Sequence, residues 1–116
     1  MRVTKLSVRV ERDEETVLVR LAGELDIATI PQLRQAALDQ LASGSCRQLT
    51  IDLAELTFLD SSALGALVEL RKAATSYDAT MRLDGVQPGA ARIITIAGLA
   101  EDFGLPPSDA PSAEIS

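Results

Sequence analysis

Apolar and polar residues alternate near the start of the chain, with Leu6, Val8 and Val10 on one side and Ser7 and Arg9 on the other. Period two predicts a half-buried strand, because successive side chains of a strand point to opposite faces. The run from Arg12 to Glu15 is polar, and Val17, Val19 and Leu21 resume the alternation until Gly23 ends it. Two strands joined as a hairpin are expected. The period then changes: Ile30, Leu33, Ala37, Leu38 and Leu41 recur at helical spacing. Thr29 as N-cap, Gln32 completing a capping box, and Pro31 in the first turn, where its missing N–H costs little, predict an amphipathic helix packed on the sheet.

Ser43 to Ser45 reads as a turn, and Leu49, Ile51 and Leu53 alternate with Thr50 and Asp52 as a third strand. Asp60 and Ser61 open a second helix, in which Ala63, Leu64, Ala66, Leu67, Val68 and Leu70 face inward and Glu69, Arg71 and Lys72 face solvent. Met81 and Leu83 mark a short fourth strand closed by Asp84 and Gly85. The run Ile93-Ile94-Thr95-Ile96 favours a strand by propensity. Its flanks predict a helix instead: Pro88 sits at a helix start, Gly98 where a C′ glycine belongs, and Leu99 where the apolar contact of a Schellman ending falls. A short last strand near Phe103 would make the sheet five-stranded. The expectation is a single α/β domain over residues 1–104. Its mixed sheet has four to five strands, an antiparallel N-terminal hairpin, and two right-handed strand–helix–strand crossovers with parallel pairing. Residues 105–116, with Pro106, Pro107 and Pro111 among Ser, Asp and Ala, are expected to be a disordered tail.

Composition narrows the chemistry. The chain has 116 residues, 47% of them apolar and 24% charged, enough for one aliphatic core without disulfides or a structural metal. Phe58, Tyr77 and Phe103 are the only aromatic residues, so the bases of a single strand would find almost no stacking platform. Eleven basic residues stand against 17 acidic ones, a net charge of −6 that repels phosphate backbones. No partnership with nucleic acid is expected. With no His and a single Cys, the chain can build neither a catalytic triad nor a CxxC redox pair, nor the usual zinc ligand set. Cys46 reads as a free thiol in a reducing cytoplasm. The apolar runs are too short for a membrane span and the N-terminus has no signal-peptide core, so a cytoplasmic protein with no membrane partner is expected.

In open sheets of this kind, sites form at the loops leaving the carboxyl ends of the strands. Two such loops are chemically loaded: Gly23-Glu24-Leu25-Asp26, and Phe58-Leu59-Asp60-Ser61-Ser62 leading into the second helix. Ser61 or Ser62 has a plain structural role as N-cap, and Asp60 could cap equally well. Asp26 could be a turn acid, and Asp52 a polar strand residue or a loop brace. The sequence has no GxSxG, GxGxxG or GxxxxGK[ST]. Asp26, Asp52 and Asp60 could suggest magnesium or a receiver-type phosphoacceptor. The latter needs a late strand-end lysine, and the two lysines are Lys5, read in the first strand, and Lys72, in a helix. No catalytic residue, metal or cofactor is expected.

The segments Gly23-Glu24-Leu25-Asp26, Ile51-Asp52-Leu53, Phe58 to Gly65 and Pro88 to Leu99 together resemble the STAS domain of bacterial anti-sigma factor antagonists, across about Leu6 to Phe103. That resemblance implies a non-catalytic binding module. It would engage a serine-kinase anti-sigma factor and so release a sigma factor. The kinase would phosphorylate the first serine of the DS[ST] motif, here Ser61, and a metal-dependent serine phosphatase would reverse the change. Glu24, Asp26, Asp60, Ser61, Ser62 and Ala63 would form the partner surface. Many members have Gly where this chain has Ala63, the better helix former. The alternative is a STAS scaffold or accessory subunit, stressosome-type or transporter-associated, without direct control of a sigma factor.

Overall fold

The computed structural model describes residues 5–103. The proposed tail, residues 105–116, lies outside the described residues. Strands β1 (Leu6–Asp13) and β2 (Thr16–Leu25) form an antiparallel hairpin. Strands β3 (Gln48–Leu59) and β4 (Thr80–Asp84) follow in parallel, giving the order β1-β2-β3-β4. Helices α1 (Ile30–Ala42) and α2 (Ser61–Ser76) make the two crossovers, and α3 (Pro88–Ile96) follows β4.

The period-two residues behave as their alternation dictates. Leu6, Val17, Val19, Leu21, Leu49, Ile51, Leu53, Met81 and Leu83 share one face of the sheet and are buried in one cluster with Leu33, Ala37 and Leu41 of α1 and Ala63, Leu67, Leu70 and Ala74 of α2. Fully burying one such Leu or Ile contributes about 1.5–3 kcal/mol, so the helix stripes hold the layers together. The other face carries charge: Arg20 reaches Glu11 at 3.8 Å and Asp52 at 3.9 Å.

The ending of α3 is a full Schellman motif. The N–H of Gly98 (φ +78°) donates to the Thr95 carbonyl and that of Leu99 to the Ile94 carbonyl. Three expectations change. Gly23 does not end β2, which runs on to Leu25. The segment near Phe103 is a 3₁₀ turn, Glu101–Phe103, so the sheet of the described residues has four strands. Phe103 is 1% exposed, and Arg71 Nε donates to the Asp102 carbonyl at 2.7 Å, tying this turn to α2. A large side chain seeking the core decides the conformation here, with no strand partner needed. Finally, Thr29 and Gln32 form no capping box: Thr29 makes no side-chain cap bond, and Gln32 Nε2 instead donates to the Leu6 carbonyl at 3.2 Å.

Candidate functional site

The site lies where β2 and β3 end side by side. The parallel register pairs Leu25 with Leu59, so the next residues, Asp26 and Asp60, leave from adjacent strands. Between the Thr16–Gln48 and Leu25–Leu59 pairs β3 spends two more residues than β2, with register shifts between Arg20 and Ala22 and between Gly23 and Glu24. Such bulges bend a strand and re-aim the residues beyond them. Thr57, at the second shift, donates from Oγ1 to the Gly23 carbonyl at 3.1 Å.

The Asp26 loop is held from several sides. Asp26 Oδ2 accepts from Lys5 Nζ at 2.8 Å, and Oδ1 accepts from the N–H groups of Ala28 at 3.0 Å and Thr29 at 3.1 Å. Thr29 Oγ1 accepts from the Asp26 N–H at 2.9 Å and donates to the Glu24 carbonyl at 2.9 Å. The hydroxyl is therefore spent on the loop, which is why it does not cap α1. Lys5 also lies 3.8 Å from Glu24 Oε1. Its ammonium, followed by the two Thr29 donors, holds the Asp26 carboxyl below its ordinary range against the opposing effect of desolvation. The same bond to Asp26 raises the Lys5 ammonium above its ordinary value. Lys5 can reach the loop because the Glu24 N–H donates to the Lys5 carbonyl at 2.7 Å. That approach needs Gly23, whose φ is +110° and whose place leaves no room for a Cβ: it would lie 2.1 Å from the Lys5 oxygen.

Across from it, Asp60 is the N-cap of α2. Its backbone is extended (φ −108°, ψ −178°) and Oδ1 accepts from the Ala63 N–H at 2.9 Å. Capping thus falls to Asp60 and leaves both serines free of it. Ser61 and Ser62 are exposed, and among the described residues neither side chain makes a hydrogen bond. Ala63 is fully buried and contributes its N–H to the cap while its methyl faces the core. Glu24 is exposed at the rim. Asp52 belongs elsewhere: it braces the β3 bulge by accepting from the Ala54 N–H at 2.9 Å and faces Arg20. Among the described residues no group of three or more His, Cys, Asp or Glu is placed to hold a metal ion. Among the described residues no base is hydrogen-bonded to the Ser61 hydroxyl, the pairing that an activated serine nucleophile shows.

Two apolar side chains stand out at this end of the sheet: Ile27, in the loop after β2, is 74% exposed and Phe58, near the end of β3, is 50% exposed. Phe58 also borders a groove of about 290 Å³ between β3 and α3, lined by Leu56, Gln87, Ala90 and Ile93 among others. In it Gln87 Nε2 donates to the carbonyls of Ala54 at 2.9 Å and Leu56 at 2.7 Å, satisfying the stretch of β3 that β4 does not reach. Sequence reasoning missed Lys5 and Ile27. Lys5 immediately precedes β1 rather than lying in it, and its role depends on a register that no local pattern reports.

A family model described as "Mlab, STAS domain" matches residues 8–107. The chain belongs to the STAS domain family. This STAS domain is 29% identical over 94 residues to an anti-sigma F factor antagonist of Paenibacillus polymyxa, covering 81% of the chain and 80% of the relative. It is 30% identical over 83 residues to an anti-sigma-B factor antagonist of Staphylococcus epidermidis, covering 72% and 76% respectively. Among solved structures, an anti-sigma factor antagonist from Mycobacterium paratuberculosis matches with a TM-score of 0.76 at 28% identity, over 89% of this chain and 86% of that one. SpoIIAA in its unphosphorylated form matches with a TM-score of 0.74 over 92% of both chains, and at 22% identity that likeness shows the fold. No helix among the described residues is long and apolar enough to cross a membrane.

Proposed function

We propose that this STAS domain is an anti-sigma factor antagonist that binds a serine-kinase anti-sigma factor in the cytoplasm, releasing a sigma factor, and is switched off by phosphorylation of Ser61. The domain performs no catalysis itself; the kinase supplies nucleotide and base, and a metal-dependent serine phosphatase resets the switch. The observation that carries this reading is the division of labour at the start of α2. Asp60 caps the helix, so the exposed Ser61 hydroxyl has no structural duty and can be modified at little cost to the fold. The relatives named antagonists of anti-sigma factors support the partner class. The rim of Glu24, Asp26, Ser62 and the exposed Ile27 and Phe58 gives the partner a polar ring with apolar anchors, the usual anatomy of an interface.

A phosphate on Ser61 adds about −1.5 to −2 charges. A partner surface matched to a neutral hydroxyl would then have to bury a solvated dianion, and an unpaired buried charge costs several kcal/mol. Incubation with ATP and the kinase should place one phosphate on Ser61. Ser61→Ala should stay folded and bound but unmodified, whereas Ser61→Asp and Ser61→Glu should stay folded, since an acid near a helix N-terminus is tolerated, and bind the kinase much more weakly. Phosphate mapped to Ser62 or Thr57 with Ser61→Ala still modified, or acidic variants that bind like the unaltered chain, would overturn the assignment. A scaffold or accessory role would leave the release of a sigma factor from its anti-sigma factor unchanged when the domain is added.

A further inference from the structure

We infer, independently of the phosphorylation reading, that this chain pairs with a second copy of itself along the free edge of β1, antiparallel, with the two-fold axis at Val10. β1 is an eight-residue edge strand with no proline and an unbroken register to β2, the kind of edge that templates a further strand. The bond from the Glu24 N–H to the Lys5 carbonyl fixes the phase of the β1–β2 ladder. Hydrogen-bonded and non-hydrogen-bonded pairs alternate in an antiparallel ladder. Lys5 and the odd-numbered residues of β1 therefore bond β2, while Leu6, Val8, Val10 and Arg12 turn their N–H and C=O groups to the open edge. The Leu6 carbonyl agrees with this phase, because Gln32 Nε2 reaches it from outside the ladder at 3.2 Å. Among the described residues no strand pairs with this edge beyond Leu6, and Val10 is 38% exposed there.

Side-chain chemistry selects the register. On the charged face Arg9 lies directly opposite Arg20, a like-charge cross-strand pair that destabilises the hairpin. Arg20 turns to Glu11 and Asp52, and among the described residues Arg9 has no carboxylate partner. An antiparallel copy centred on Val10 sets Arg9 opposite Glu11 of the second copy, twice by symmetry, and in the closer, non-hydrogen-bonded positions. It stacks the two Val10 side chains on the opposite face and pairs Val8 with Arg12 of the second copy. The outward groups of Val8, Val10 and Arg12 would then form up to about six main-chain hydrogen bonds across the axis. Shifting the axis to Arg9 would instead put Arg9 against itself.

The test is sedimentation equilibrium on the full chain from micromolar to millimolar concentration. The unaltered chain should be a reversible dimer in that range. Arg9→Glu and Glu11→Arg should each weaken the dimer about tenfold or more, since each creates two like-charge pairs, and the double variant should return to near the original affinity. Val10→Pro removes an N–H that faces the edge and not β2, a place where strands tolerate proline, and should leave a monomer. Arg9→Glu should melt no lower than the unaltered chain when both are dilute, because it relieves the Arg9–Arg20 repulsion; this separates lost pairing from lost folding. A monomer up to millimolar concentration, or a double variant no better than the singles, overturns the inference.

Discussion

Gly23→Ala and Gly65→Ala are the same chemical change and should have opposite effects. At Gly23 a Cβ would lie 2.1 Å from the Lys5 carbonyl oxygen and 3.1 Å from its carbon, and φ is +110°. The obstructing atoms are backbone, so relief requires β1 to move away from β2. A side chain held at such a φ costs about 1–3 kcal/mol, and losing the bond from the Glu24 N–H to the Lys5 carbonyl costs a further 0.5–1.5 kcal/mol or so. The expected loss is about 2–4 kcal/mol, a large share of the roughly 5–15 kcal/mol that stabilises a small domain. Gly65 sits inside α2 with nothing within 4 Å of its missing Cβ, so alanine there should add about 0.5–1 kcal/mol by lowering the entropy lost on folding. Urea unfolding of both variants measures this directly. With m unchanged at about 1–3 kcal/mol per molar, Gly23→Ala should lower the midpoint by about 0.7–4 M and Gly65→Ala should raise it. A Gly23→Ala protein within about 0.5 kcal/mol of the parent, the range of an ordinary surface change, would falsify the close-approach argument.

The Lys5–Asp26 pair should be visible by pH. Because the Asp26 carboxyl is held below its ordinary range, chiefly by Lys5, its contribution is fully present above the unfolded value near about 3.9. It is lost as pH falls through the lower folded value. Lys5 is raised, so its share is present below about 10.4 and disappears as pH climbs past its folded value. Carboxyl NMR titration should show the Asp26 midpoint moving up in Lys5→Ala; an unchanged midpoint would remove Lys5 as the cause. Cys46 is 2% exposed and burial raises its thiol, so a disulfide reagent should label it slowly in the native protein and fast in urea; equal rates would contradict its burial. A phosphate on Ser61 that leaves Lys5 in place should raise the Asp26 midpoint through like-charge repulsion by less than Lys5→Ala does; a rise as large as that of Lys5→Ala would mean that the phosphate draws Lys5 away.

Much of the fold is legible because its signals are local. Period two in Leu6 to Val10 and Val17 to Leu21 places strands, and Pro88, Gly98 and Leu99 outweigh the β-branched run between them because a Schellman ending satisfies carbonyls that a strand there would leave without a partner. What stayed hidden depends on register between distant segments. Leu53 and Leu56 are both buried though three residues apart, the mark of a bulge that a strict alternation would miss. Thr29 has every local feature of an N-cap, yet the Asp26 turn reaches its hydroxyl first. Phe103 reads as a strand by type, and the core took it through a single turn of 3₁₀ helix.

The charge arrangement explains why a phosphate at this place would act outward. The Asp60 carboxylate is committed to the Ala63 N–H, and Asp26, whose side chain is 15% exposed, is committed to Lys5 and the Thr29 turn. Lys5, the cation at these loops, already faces two carboxylates. A phosphate on Ser61 would therefore meet no unengaged cation among the described residues of the two loops. The positive end of the α2 helix would offset its repulsion from Asp60 and Asp26 only in part. With no unengaged cation there to pair with the new charge, the dianion would stay hydrated on the surface. Its energetic consequence appears only when a partner tries to strip that water. Such a switch would need no second conformation of the domain, since the difference between its two states would be a desolvation cost at the interface.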